Sequence, residues 1–174
     1  MSADGLFTQE RYPDSRNPRS VQDGLEFQDH CMGWLLSSMG ILLQVNTSTR
    51  YQLEQGESRQ QVEIKLDRRC TETGHLSIEI AERSAVKVAV WTPSGIYSKT
   101  MPVFYAQGNY TVLYLFNTKD LLDFHRGRLH GAYYELETIR KFHLPLRDAE
   151  QLCIRKGIAP NPREQYRIEF PIRR

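Results

Sequence analysis

An α+β fold, with a mixed and mostly antiparallel central sheet flanked by helices, is the class this sequence predicts. Three observations carry it. A long N-terminal segment repeats apolar residues at helical spacing, several short segments after it alternate or run apolar as strands do, and helical patterns return beyond residue 118. No period of about twenty to fifty residues recurs, so a repeat architecture is not expected.

Residues 1–19, rich in Asp, Arg, Ser and Pro, read as a flexible arm ahead of a single domain at 20–174. Ser20 and Asp23 read as a capping box that opens a helix. Its apolar stripe is Val21, Leu25, Met32, Leu35, Leu36 and Met39, and Gly40 closes it. Ile41 to Val45 reads as a short buried strand, and Thr49 to Glu54 as a second, followed by turn residues at Gln55 to Ser58. Gln61 to Asp67 alternates strictly, with Val62, Ile64 and Leu66 on one face and Glu63, Lys65 and Asp67 on the other. Leu76 to Ile80 repeats the alternation after a loop holding Gly74. Further strands are expected at Lys87 to Trp91, Val103 to Gln107 and Thr111 to Phe116. Thr118 reads as the cap of a short helix through Leu121, Leu122 and His125, and Arg147 to Lys156 is helical by pattern.

Composition narrows the classes. The 174 residues hold 23 Lys+Arg and 21 Asp+Glu, with 40% hydrophobic and 25% charged residues, as an ordinary globular chain does. The near balance of charge excludes a polybasic coat for nucleic acid. The apolar run at Ile41 to Val45 is far too short to span a bilayer, so no membrane association is expected. The polar N-terminus with Pro13 and Pro18 shows no signal-peptide pattern, and a cytoplasmic setting is expected. Cys31, Cys70 and Cys153 are widely spaced and suggest neither a disulfide framework nor a zinc site. The five histidines do not cluster in sequence and read as packed or surface groups.

The segment from Gly56 to Asp67 carries the chemistry. Glu63 and Lys65 project from one face of one strand, about 6.5 to 7 Å apart along it. Glu57, at the preceding turn, supplies a second carboxylate. Two carboxylates and a carbonyl oxygen make a hard-oxygen site suited to Mg²⁺, with Mn²⁺ as a substitute. Such an ion activates water and screens the charge that builds on a phosphodiester, while a neighbouring lysine orients the water or stabilises the developing charge. The competing explanation is a solvated strand face, whose Glu63, Lys65 and Asp67 make only cross-strand pairs.

A helix with a glutamate, strands, a turn acid and then E-x-K on an alternating strand resembles the PD-(D/E)xK nuclease superfamily, the restriction-endonuclease-like proteins. The resemblance covers about residues 20 to 120. It implies a restriction-endonuclease-like core with Glu63 and Lys65 as the E-x-K pair, Glu57 as the upstream acid and Glu26 as the helix glutamate near the metal. Glu57 and Glu63, with Glu26, would then be metal ligands, and Glu57, Glu63 and Lys65 the catalytic set. The upstream acid is usually Asp, often after Pro, whereas Glu57 follows Gly56, and Glu54 is the alternative.

Charge is unevenly spread. Residues 1–118 hold 11 basic and 13 acidic residues, a net of −2, and residues 119–174 hold 12 and 8, a net of +4. Arg126, Arg128, Arg140 and Lys141 are the expected contacts to DNA phosphates, against a plain solvated surface. Trp91, Tyr97, Phe104, Tyr105, Tyr110, Tyr114 and Phe116 read mainly as core, with Tyr97 or Tyr105 as candidates to stack on a base. Glu79 faces the polar side of its strand and approaches the same site if that strand neighbours Glu63.

The expectation is therefore a Mg²⁺-dependent endonuclease acting on DNA. A homodimer is expected because a duplex cut on both strands calls for two sites. The alternative is a non-catalytic interaction protein, such as a phage or mobile-element factor that binds nucleic acid or a host protein.

Overall fold

The computed structural model describes residues 18–45, 58 and 60–157. Within them four helices and eight strands form an α+β fold. The strands divide between two mostly antiparallel sheets instead of one central sheet.

Helix α1 (Pro18–Met39) starts two residues before Ser20. Proline is suited to a first helical turn, where its fixed φ fits and its missing N–H has no partner to lose. Pro18 and Arg19 therefore belong to the helix and not to an arm. Gly40 ends it at φ 68, with its N–H on the Leu36 carbonyl at 2.9 Å and that of Ile41 on Leu35 at 3.2 Å. The buried stripe differs from the expected one: Phe27, Cys31, Trp34 and Leu35 face the core, while Leu25, Leu36 and Met39 are exposed. The i, i+4, i+7, i+8 set that carries both aromatics buries more area per residue than the Leu and Met set.

Ile41 to Val45 forms no strand; its one ladder contact is an isolated bridge from Val45 to Ser58. The expected strand at Thr49 to Glu54 lies outside the described residues. Strand β1 (Val62–Leu66) follows the predicted alternation. A one-turn helix α2 (Cys70–Thr73) and Gly74 then lead into β2 (His75–Glu82). Lys87 to Trp91 is irregular, and only β3 (Thr92–Pro93) pairs there, on the end of β2. A 3₁₀ turn (Gly95–Tyr97) precedes β4 (Phe104–Gly108) and β5 (Leu113–Asn117). Helix α3 (Thr118–Gly127) is capped by Asn117, one residue before the expected Thr118, with the Asn side chain accepting from the Lys119 N–H at 3.0 Å.

The hairpin of β6 (Tyr134–Leu136) and β7 (Ile139–Pro145) was not predicted. Its turn, Glu137-Thr138, places Glu137 at φ 34 without the Asn or Gly that usually signals such a turn. Arg83 holds it instead, donating from Nε to the Glu137 carbonyl at 2.8 Å. Helix α4 (Leu146–Leu152) is shorter than Arg147 to Lys156 suggests, because Arg155–Gly157 is strand β8.

Sheet one has the order β1-β4-β5-β8, with only β1 and β4 parallel; sheet two is β3-β2-β7-β6 and antiparallel throughout. One face of sheet one, with Val62, Ile64, Ala106, Leu113 and Leu115, packs under Phe27, Cys31, Trp34 and Leu35 of α1. Its other face gives Tyr105, Tyr114 and Phe116 to a larger core shared with Leu76, Ile78 and Ile80 of β2 and Phe142 and Leu144 of β7. Each of these fully buried side chains contributes about 1.5–3 kcal/mol by leaving water. β5 is apolar on both faces because it has a layer on each side.

Candidate functional site

Strand β1 presents Glu63 and Lys65 on the face turned away from α1, beside Tyr105 and Gln107 of β4, which are their lateral partners in register. Lys65 Nζ lies 3.0 Å from Glu63 Oε1. The Glu63 side chain is 12% exposed and that of Lys65 is 32%. A carboxylate this enclosed requires compensation, and the ammonium provides it. The strand begins under a clamp: Ser58 Oγ accepts from the Val62 N–H at 2.9 Å and is 3.0 Å from the Val62 carbonyl.

At the carboxyl ends of the parallel β1–β4 pair a cleft of about 290 Å³ opens, lined in part by Asp67, Arg68, Arg69, Gln107 and Lys141. Asp67 is not a surface charge. Its Oδ2 accepts from the Ser77 N–H at 2.8 Å and its Oδ1 from that of Arg69 at 3.3 Å, which ties the end of β1 to β2. Asn109 secures the same turn, donating to Thr71 Oγ1 at 3.1 Å and to the Arg68 carbonyl at 3.4 Å. Gln107 donates to the Ser77 carbonyl at 3.1 Å, linking the two sheets. Its Oε1 is buried and has no hydrogen-bond partner among the described residues.

The other expected site residues are placed as follows. Glu57 and its alternative Glu54 lie outside the described residues. Glu26 sits on α1, over the opposite face of sheet one, and accepts from Gln22 at 3.1 Å. Glu79 belongs to sheet two, opposite Lys141, and so is no neighbour of Glu63 within a sheet. Among the described residues no group of three His, Cys, Asp or Glu side chains could hold a metal ion. On the Lys65 side Asp67 already accepts from two backbone N–H groups, which leaves the Glu63 carboxylate and the Gln107 amide oxygen as the candidate donors of β1 and β4. Both are hard oxygens of the kind Mg²⁺ accepts along with waters and phosphate oxygens.

Of the four expected phosphate contacts, Lys141 alone reaches the cleft. Arg140 instead covers Trp91, its guanidinium 4.2 Å from the ring centroid, and pairs with Glu135 at 2.8 Å. Arg128 pairs with the buried Asp148 at 3.1 Å, and Arg126 lies over the Tyr97 ring at 5.2 Å. Tyr105 is fully buried in the core and so is not a stacking platform.

Three histidines are organised in ways sequence spacing did not reveal. His75 and His143, diagonal neighbours near the β2–β7 end, have ring centroids 3.7 Å apart, and Tyr134 stacks on His143 at 4.1 Å. Burial, with His75 adding to it, pulls the His143 pKa below its ordinary value. His125 is 3.0 Å from the Ala132 carbonyl through Nε2 and 3.0 Å from the Tyr97 hydroxyl through Nδ1. Donation from Nε2–H leaves Nδ1 to accept from Tyr97, a neutral ring, in agreement with a pKa lowered by burial. Burial pushes the Cys70 thiol up to about 11, which makes it a poor nucleophile.

Comparison with protein-family models, with curated proteins and with solved structures finds no match. Among the described residues no helix is long and apolar enough to cross a membrane.

Proposed function

We propose that the protein is a metal-dependent phosphodiesterase acting on DNA, with Glu63 as a metal ligand and Lys65 as its catalytic partner. The observation that carries this reading is the Glu63–Lys65 pair, enclosed and 3.0 Å apart beside a cleft with three cationic side chains. A bound Mg²⁺ supplies an activated water and charge neutralisation at the phosphate. Glu63 contributes a carboxylate that is ion-paired with Lys65, and a cation bound there would exchange with the ammonium. Lys65, released from the carboxylate, then orients the attacking water or stabilises the charge developing on a phosphate oxygen. Glu57 is the proposed second ligand. A restriction-endonuclease-like homodimer with one site per protomer would cut both strands of a duplex.

Nicking of supercoiled DNA in Mg²⁺ or Mn²⁺ tests the proposal. Wild type nicks and Glu63→Ala does not; equal rates overturn it. The second reading, a binding protein without catalysis, is favoured because Asp67, the other described carboxylate on the Lys65 face, is tied to the Ser77 and Arg69 N–H groups, which leaves Glu63 as the one candidate ligand among the described residues there. It predicts DNA retention by wild type with no cleavage in any divalent metal.

A further inference from the structure

The cleft beside Lys65 combines four properties that narrow its ligand. Its rim is cationic, with Lys141 on β7 and Arg68 and Arg69 on the turn after β1. The Lys141 side chain makes no hydrogen bond or ion pair with a described residue. Arg68 and Arg69 pair with Asp23 and Glu72, but these are exposed contacts that exchange readily for a phosphate. The turn that bears them is fixed from inside by Asp67 and Asn109, so its backbone needs no reordering when a ligand arrives.

The second property is Gln107. It is 3% exposed, forms part of the cleft wall, and leaves Oε1 without a hydrogen-bond partner among the described residues. An acceptor left this way is costly unless a ligand donates to it. A phosphomonoester dianion has no donor on its phosphoryl oxygens. The ligand must therefore carry an N–H or O–H as well as negative charge. The third property is that Leu66 and Leu136 also line the cleft and offer apolar surface. The fourth is its volume of about 290 Å³, which suits a ligand well beyond a single oxyanion in size. A nucleotide meets all four conditions, with an anionic phosphate, a flat base with apolar faces, and amino or hydroxyl donors.

We propose that this cleft takes one nucleotide of the bound strand, its phosphate on Lys141, Arg68 and Arg69 and a donor group of its base or sugar on Gln107 Oε1. The inference rests on the phosphodiesterase reading of the neighbouring Glu63–Lys65 pair. It makes Gln107 and Lys141 residues that position the strand, separate from those that cut it.

The test is calorimetric titration of the whole chain, without metal, using deoxynucleoside 5′-monophosphates, deoxyribose 5-phosphate and inorganic phosphate. At least one nucleotide binds more tightly than inorganic phosphate, and Lys141→Gln weakens it by about tenfold or more. Gln107→Met, if folded by its melting transition, loses the preference for nucleotide over inorganic phosphate. Lys141→Gln carries the test if Gln107→Met does not fold. Equal affinity for nucleotide and inorganic phosphate, or unchanged binding in Lys141→Gln, overturns the proposal. Nucleotide binding by a wild type that cleaves no DNA supports the cleft and removes the phosphodiesterase reading; cleavage by a wild type that binds no nucleotide does the reverse.

Discussion

Lys65 Nζ and Glu63 Oε1 lie 3.0 Å apart on the outermost strand of the first sheet, on the face opposite helix α1. Alternation along β1 causes this arrangement. Val62 and Ile64 are drawn under Phe27 and Trp34 of α1, so the residues between and after them must face the other way. The same packing that stabilises the strand thus orients its chemistry.

The strand's entry is equally constrained. Ser58→Ala removes the oxygen bonded to the Val62 N–H and leaves that buried donor without its partner. The expected cost is about 1–3 kcal/mol. Urea denaturation of wild type and variant measures it, and a difference below a few tenths would show that the clamp is dispensable.

Stability depends on pH chiefly through the buried His125, whose pKa burial lowers in the folded state, while the more exposed His143, shifted the same way by partial burial and by His75, contributes less. The unfolded chain therefore binds more protons once the pH drops below the ordinary histidine value of about 6.5. Both groups contribute fully above that value, and the contribution is lost as pH falls through their folded values. The melting midpoint should be lower at about pH 5 than at pH 7, and the two rings should titrate by NMR below an exposed reference histidine. Rings that titrate at or above that reference would contradict the burial argument.

Arg140→Ala should act on folding and not on DNA affinity. Its guanidinium lies over Trp91 and Tyr133 and pairs with Glu135, next to Arg83 on the same indole. Loss of two cation–π contacts and of an ion pair in which Nε and Nη2 share Glu135 Oε1 is expected to cost about 1–2 kcal/mol. Denaturation and a DNA retention assay separate the two roles. A large loss of retention with unchanged stability would return Arg140 to the binding surface.

Much of the fold was legible where one period dominates. β1 and β2 alternate cleanly, β5 is apolar throughout, and α1 ends at a glycine. The failures have physical causes. The stripe of α1 was misassigned because Leu25, Leu36 and Met39 also recur at helical spacing, and only packing selects between two apolar faces. The β6–β7 hairpin was missed because a side chain, Arg83, stabilises its turn in place of turn-forming residues. Of the site, the Glu63–Lys65 juxtaposition follows from strand geometry. Gln107 was invisible, since nothing local marks a buried amide with an unsatisfied oxygen, and Asp67 read as a surface charge because its partner Ser77 is ten residues away. The basic residues after 118 suggested one DNA surface, but most are tied to aromatic rings or acids.

Glu63 is proposed to bind the metal and Lys65 to drive turnover, and nicking of supercoiled DNA by Lys65→Met, followed alongside its melting in Mg²⁺, separates the two roles. Lys65→Met should keep the rise in melting temperature that millimolar Mg²⁺ gives wild type, while nicking falls by about 10²- to 10⁴-fold. Wild-type nicking rates in folded Lys65→Met, or a metal-induced rise that survives in Glu63→Gln, would contradict it.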